Sequence, residues 1–507
     1  MKRYALLFLC GVFLSDAAST SASAQFITQP QAATIAENWI ALQMHLDGSW
    51  GTHDQASVTN VMPFRRGERL LGYYCEVQPA GFIIVSLRRE LAPIRAYSTY
   101  SGLSYTTDAG MADFLKTKME WIIDAVELSA GPIEQADTKD IEPLLEVDYR
   151  DLSASLSQSP RLFAEQLVGG GWRENYDTGD VMLTSHWHQE PPYNDQCPDM
   201  GCDWSSYDDF NDNALVGCVA TAGAQTMRHW AWPPYGNGSP YNDSYDWSNM
   251  LNSYQWWGGQ FVDEDDNPCT SAQIDAVAEL CAEVGQAVDM DYGCDASGAI
   301  TEDLKWAFQL DFRYEWGIGI EHRSSYTALS WFALLQDELN VNRPLPYRIP
   351  GHAVVCDGWK LSPQQYHINY GWGSIGQCDG CDTWYVLDAI FGGDPDSEYA
   401  LSGVVPDNAL GPQISGTYGD DLYYVDQDTT THWLGVSFVD GTDLQFLHNV
   451  AMTCDEPGTS IYFGGADGNA TRLYSRGIQS RGIKVTEPVD YIPPTFKIHE
   501  RGGIRFR

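Results

Sequence analysis

The sequence predicts an α+β protein in several parts, and three observations carry that expectation. The stretch Gly217-Cys218-Val219-Ala220-Thr221-Ala222-Gly223-Ala224-Gln225 opens an apolar helix. In it Val219, Ala222, Gly223, Thr226, Met227 and Trp230 recur at spacings of three and four, which puts them on one buried face. Farther on, His352 to Cys356, Tyr366 to Gly373 and Thr383 to Leu387 are short apolar and aromatic runs that read as strands. At 507 residues the chain is too long for one compact core, so two or three domains are expected.

Residues 1–24 read as a signal peptide. Lys2 and Arg3 are its charged region, Tyr4 to Leu14 its apolar region, and Ala22-Ser23-Ala24 a small-residue cleavage site before Gln25. The apolar run is too short to span a bilayer, and no later segment is apolar for long enough to be transmembrane. Leu9 before Cys10 argues against a lipid anchor. A secreted protein is expected, extracellular or at the periplasm or cell surface. The net charge of −40 argues against nucleic acid or an anionic membrane as partner.

Residues 25–150 read as a small α/β module. Ala32 to Met44 is an amphipathic helix. Tyr73 to Val77 and Gly81 to Ser86 form a hairpin about Gln78-Pro79-Ala80, Ile94 to Ser98 is a third strand, and Met111 to Val126 a second helix. Residues 151–180 change texture, with a polar Ser153 to Ser159 and the run Gly169-Gly170-Gly171. A linker carrying any processing cleavage is expected there.

Residues 181–406 carry the chemistry. Cys218 stands at the mouth of its helix, where unpaired N–H groups and the helix dipole favour a thiolate, the nucleophilic form. Helices are expected at Ile274 to Val284 and Glu302 to Leu310. Gly351-His352-Ala353 then places a histidine at the start of a buried strand, and the next strand carries Asn369. A cysteine nucleophile needs an imidazole to take its proton, a third group to hold that imidazole, and donors for the oxyanion. A strand–turn–strand layout from His352 to Asn369 can bring Asn369 beside His352 for the holding role.

Several motifs in order resemble the streptopain family of secreted bacterial cysteine peptidases, papain-like in fold. They are Trp187-x-Gln189-x-x-Pro192-Tyr193-Asn194, Gly217 to Ala222 with Ala224-Gln225, Val288-Asp289-Met290-Asp291-Tyr292-Gly293, Gly351-His352-Ala353 with Asp357-Gly358, and His367-Ile368-Asn369-Tyr370-Gly371-Trp372-Gly373. The resemblance reaches back to Gly81 to Ser86, which looks like the family's inhibitory propeptide. It does not cover the last hundred residues. It implies a papain-like domain with a helical part and an antiparallel β part, preceded by a propeptide that acts as an intramolecular inhibitor. Cys218 would be the nucleophile and His352 the general base and acid. Gln189 would be the oxyanion donor beside the Cys218 N–H, and Asn369 would orient His352 with Trp372 shielding that contact. The implied activity is hydrolysis of protein or peptide substrates by a zymogen-derived endopeptidase without a cofactor.

Some positions depart from the pattern. Papain has its oxyanion glutamine six residues before the cysteine, where Asp212 stands here, and Asn213 is a rival donor to Gln189. The family often has Trp where Tyr370 stands, so the wall near His352 differs. Gly351 is expected to line the substrate cleft, because a missing side chain lets a peptide approach. Tyr370, Ser297 and Gly298 are further candidates for that wall.

Removing Cys10 leaves an odd number of the 12 cysteines, the arithmetic expected with one free reactive thiol. Cys197 with Cys202, and Cys378 with Cys381, are close enough to be bridged, and in an oxidising setting disulfides are favoured over a zinc site from the same four. His186 and His188 share a face of an extended segment and His229 lies near, but packed or surface histidine is the preferred reading over a metal site. Asp263 to Asn267 and Asp426-x-Asp428 read as solvated acidic faces rather than calcium sites. Residues 407–507 read as a β-rich extension, with a basic end and a strand at Trp433 to Phe438. Two other readings compete: a peptidase-like adhesin or inhibitor without activity, and a transpeptidase that uses the same acyl-enzyme.

Overall fold

The structure, a computed structural model, describes residues 25–169, 171–174, 176–373, 383–393 and 397–407, and strand backbones between 423 and 506. The signal segment, Gly170 and the Cys378–Cys381 pair lie outside the described residues.

The N-terminal module begins with helix α1 (Gln29–Asp47), started by a capping box between Thr28 and Gln31 and stopped by Gly48 at positive φ. Strands β1 (Ser57–Arg66), β2 (Arg69–Gln78), β3 (Phe82–Val85) and β4 (Ile94–Ser98) form an antiparallel meander, and helix α2 (Gly110–Ala130) packs on it. Strand β1 has no counterpart among the elements expected from sequence. Among its residues only Phe64 is fully buried, so this edge strand carries no apolar alternation to read.

After the short helix α3 (Thr138–Ile141), the stretch expected as a linker contains helices α4 (Arg150–Leu156) and α5 (Pro160–Gly169). Leu156, Phe163 and Leu167 are buried against α1 and its neighbours. The serines around them hide that sparse apolar stripe from composition.

The helical part that follows holds α6 (Cys218–Trp230), the hairpin β5 (Gln255–Trp257) and β6 (Gln260–Val262), α7 (Ser271–Ala287) and α8 (Asp303–Trp306). The expected helix to Leu310 ends as α8 and finishes as a π-turn over Ala307–Asp311. The antiparallel part holds β7 (Gly319–His322), helix α9 (Ala328–Asn340), β8 (Leu345–Ile349), β9 (His352–Lys360), β10 (Gln365–Asn369), β11 (Thr383–Val386) and β12 (Tyr399–Ser402). The α+β class and its two parts are as expected.

The module and the antiparallel part share one ten-stranded sheet in the order β1-β2-β3-β4-β11-β10-β9-β8-β12-β7. The join is β4 to β11, with Trp384 opposite Tyr97 and Tyr385 opposite Ala96. Strand β9 shows why its sequence is apolar throughout. Ala353 and Val355 face the core around α6 and α7, while Val354 and Cys356 face the core shared with α9 and the N-terminal module. Alternate side chains point to opposite faces, and both faces are covered.

Lys118 on α2 reaches Glu398 at 2.8 Å, Lys360 reaches Asp47 at 2.6 Å, and Arg95 pairs with Asp388. Each pair crosses the same boundary. Beyond residue 422, Tyr423–Gln427 pairs with His432–Val439, which pairs with Val450–Cys454, all antiparallel. No helix among the described residues is long and apolar enough to cross a membrane.

Cys202 is bonded to Cys294, not to Cys197, at a sequence separation of 92. Cys197 is a buried free thiol. Proximity in sequence suggested the wrong partner, because the chain folds the 294 loop back beside Cys202. The same bond removes Cys202 from any four-cysteine zinc site. The groups of acidic, histidine and cysteine side chains that could hold a metal among the described residues reduce to Asp243, Glu279 and Glu283, so His186, His188 and His229 form no such cluster.

Candidate active site

Cys218 is the first residue of α6. The first N–H groups of a helix have no partner within it, so they face whatever lies at its mouth. Gly217 makes the sharp entry possible. Its φ is +88°, and a Cβ there would lie 2.6 Å from Met290 Sδ. Gly217→Ala is therefore expected to shift Cys218 and to destabilise the fold by more than about 1 kcal/mol. Thermal unfolding with a parallel assay of thiol alkylation checks both effects.

His352 begins β9 and faces the sulfur. The Ala353 N–H donates to Cys218 Sγ at 3.4 Å, and the His352 side chain hydrogen-bonds to the thiol. His352 Nε2 lies 2.9 Å from the Tyr370 carbonyl. A carbonyl only accepts, so Nε2 carries the proton and Nδ1 presents a lone pair to the thiol. That tautomer is the one a general base needs.

Asn369 was expected to hold the imidazole, and the structure places that bond elsewhere. Its Nδ2 donates to the Ser185 carbonyl at 2.9 Å. Its Oδ1 accepts from the Gly371 N–H at 3.0 Å and from Gln225 Nε2 at 3.2 Å. Asn369 thus braces the turn that presents the Tyr370 carbonyl to His352. A backbone acceptor is invisible in a residue pattern, which is why the sequence reading passed over it. The Trp372 ring lies against the imidazole, centroids 4.8 Å apart.

The thiol is pulled two ways. Burial is the largest effect and raises its pKa. The hydrogen bond and charge of His352, the Ala353 N–H and the charge of Arg348 outweigh it, and the net pKa falls below the ordinary 9. The other free cysteines among the described residues go the opposite way: burial pushes Cys197 up to about 12 and Cys269 to about 11, and raises Cys75, Cys281 and Cys356. Iodoacetamide at neutral pH should therefore label Cys218 ahead of the others. In His352→Ala the burial effect is left largely unopposed, so the pH midpoint of labelling should rise above 9. Peptide mapping at a series of pH values reads both. An unchanged midpoint would mean that His352 does not set the thiol.

A cleft of about 530 Å³ opens in front of Cys218. Gln189, Cys218, Ser297, Gly351, His352 and Trp372 are all on its lining, which runs from His188 to Gly373 in sequence. Gly351 has a φ of +77° with no atom within 4 Å of where a Cβ would stand, which leaves room for a peptide backbone. Ser297 Oγ is engaged by the Leu215 carbonyl at 2.7 Å. Two wall candidates are elsewhere. Tyr370 is buried with its hydroxyl on Tyr385, among residues of a separate small cavity. Gly298 is exposed and pairs with Asp291 through its backbone, outside the lining.

The rival oxyanion donor Asn213 is committed away from the cleft, with its Nδ2 on the carbonyls of Asn194 and Asp195 at 3.1 and 2.8 Å. The backbone of Gln189 is tied to the loop before Cys218, where the Val216 N–H donates to its carbonyl at 3.0 Å. Two other motif residues serve the core. Asp357 and His367 pair at 2.6 Å, both buried.

The N-terminal module does not line this cleft. It meets the wall behind it. Gly110 stands against the Trp372 ring, Met111 Sδ takes a contact from the Tyr385 hydroxyl at 3.2 Å, and Phe114 packs near Tyr370.

The Peptidase C10 family model matches residues 187–385, the span that carries every one of these cleft groups. Streptopain of Streptococcus pyogenes is 26% identical over 344 residues, 63% of this chain and 74% of that protein. The thiol protease/hemagglutinin PrtT of Porphyromonas gingivalis is 28% identical over 202 residues, 37% of this chain and 22% of that protein. A solved fragment of prointerpain A from Prevotella intermedia is 22% identical with a TM-score of 0.48, covering 68% of this chain and 98% of the fragment. Residues 187–385 thus match the Peptidase C10 family of cysteine peptidases, and the chain is similar to streptopain through this region.

Proposed function

We propose that the protein is a secreted cysteine endopeptidase made as a zymogen, with Cys218 as nucleophile. The observation that carries this reading is the Cys218–His352 contact at a helix mouth, with His352 Nε2 held by the Tyr370 carbonyl at 2.9 Å. His352 Nδ1 takes the thiol proton and the sulfur attacks the scissile carbonyl. The developing oxyanion is met by the Cys218 N–H and the Gln189 amide. His352 then protonates the leaving amine, and water releases the acid from the acyl-enzyme.

In this reading residues 25–150 are the inhibitory propeptide, 151–180 contain the cut, and 181–406 are the peptidase. The module bears on Trp372 and Tyr370, the wall that sets the His352 geometry, so it controls the site from behind. The C-terminal 407–507 is a separate extension. Protein or peptide chains are the substrates, and the reaction needs no cofactor.

The test follows chain mass. The precursor and its Cys218→Ala variant are incubated with a mild reductant. Loss of the N-terminal ~15 kDa, the mass of a domain of this length, from the wild type alone is the expected result. Wild-type protein trimmed by another protease that then hydrolyses neither casein nor a peptide would sink the reading.

A further inference from the structure

We infer that His188 is a positioning residue for Gln189: its imidazole closes the turn that aims the Gln189 amide into the cleft. The inference rests on the peptidase reading. It starts from how the segment before the cleft is held. The Trp187 N–H donates to Gln225 Oε1 at 3.2 Å, and the Gly373 N–H donates to the Trp187 carbonyl at 3.3 Å. Two residues on, the Gln189 carbonyl accepts from Val216 at 3.0 Å. The last closure is a side chain. The Glu190 N–H donates to His188 Nδ1 at 3.2 Å, so the imidazole spans Gln189 from one side to the other.

The ring has little freedom. Tyr193 meets it edge-on at 4.5 Å between centroids, and Gly373 approaches so closely that a Cβ there would lie 3.3 Å from His188 Cδ2. Because Nδ1 accepts, the proton sits on Nε2. Glu190 is anchored in turn, with its carboxylate taking the Tyr207 hydroxyl at 2.7 Å. Both neighbours of Gln189 are thereby fixed, while Gln189 itself lines the cleft.

The arrangement depends on a neutral ring. Burial lowers the His188 pKa to about 4, so at neutral pH it is an acceptor. A proton on Nδ1 turns the acceptor into a donor and opens the turn. The titratable groups that face the same space are Glu190, Tyr207, Cys218, Tyr254, Asp295 and His352, with Tyr193 packed against the ring. A pH effect of His188 must therefore be read against a variant that keeps the bond without titrating.

Asparagine is that variant, since its side-chain oxygen accepts from the N–H two residues on. Processed protein is assayed with a fluorogenic peptide from pH 3.5 to 8 as wild type, His188→Ala and His188→Asn. His188→Ala should lose about tenfold to hundredfold in kcat with KM within about twofold, somewhat less than deleting an oxyanion donor outright. His188→Asn should recover kcat to within about threefold and lack the part of the acid limb centred near pH 4. Wild-type kcat in His188→Ala, or no recovery in His188→Asn, overturns the inference. A second measurement needs no turnover. The imidazole nitrogen spectrum of the full-length Cys218→Ala protein at pH 6 should show His188 protonated on Nε2 and bare on Nδ1. The opposite tautomer overturns the positioning. A wild type without activity sinks the peptidase reading and leaves this spectrum to decide the role of His188.

Discussion

Cys218→Ala is expected to abolish peptide hydrolysis, a loss on the order of 10⁴-fold or more in kcat, while leaving the fold in place. In the proposed mechanism the chemistry runs through one sulfur, so its removal leaves no atom to form the acyl-enzyme. The remaining groups, Gln189, His352 and the α6 N-terminus, still bind a peptide, and KM should change little. The fold tolerates the change because Cys218 is half-buried at the first position of α6, and alanine is a good helix former. The lost contact is the Ala353 N–H to sulfur, worth about 1 kcal/mol or less as a bond to a weak acceptor. Hydrolysis of casein and a peptide, measured beside thermal unfolding, checks both halves. Retained thiol-dependent turnover would move the nucleophile to another cysteine; among the described residues each other free cysteine carries a raised pKa.

The second large effect is on stability. Lys118→Met is expected to cost about 3–5 kcal/mol, the usual penalty for stranding one charge of a buried pair. Lys118 Nζ lies 2.9 and 2.8 Å from the two Glu398 oxygens, and their side chains are 6% and 3% exposed. Glu398 also takes the Tyr347 hydroxyl at 2.7 Å, and Tyr347 takes the Trp331 indole N–H at 3.0 Å. Without Lys118 the carboxylate keeps one neutral donor inside the core. The double variant Lys118→Met with Glu398→Leu should recover most of the loss, because the stranded charge goes with its partner. Urea denaturation of full-length protein measures this. A single-variant loss under about 1 kcal/mol would mean that water reaches Glu398. Since Lys118 sits on α2 and Glu398 before β12, the same experiment reports whether the N-terminal module and the antiparallel part unfold together.

The sequence by itself determined the local features. The three- and four-residue spacing after Cys218, the β-branched run after His352 and the hairpin about Pro79 are written in short windows, where period and turn chemistry act alone. The order of Gln189, Cys218 and His352 was legible for the same reason, since each sits in its own motif. Tertiary structure decided what depends on residues far apart. It placed the His352 partner on the Tyr370 backbone, because a carbonyl has no signature in a residue pattern. It turned Asn369 into a brace for that turn and moved Tyr370 off the cleft. It bonded Cys202 to Cys294 across 92 residues, where sequence proximity favoured Cys197. It also joined the N-terminal module to the peptidase sheet through β4 and β11. Register between two strands almost 300 residues apart depends on which edges are left unpaired once both cores have formed, and no single window contains that information.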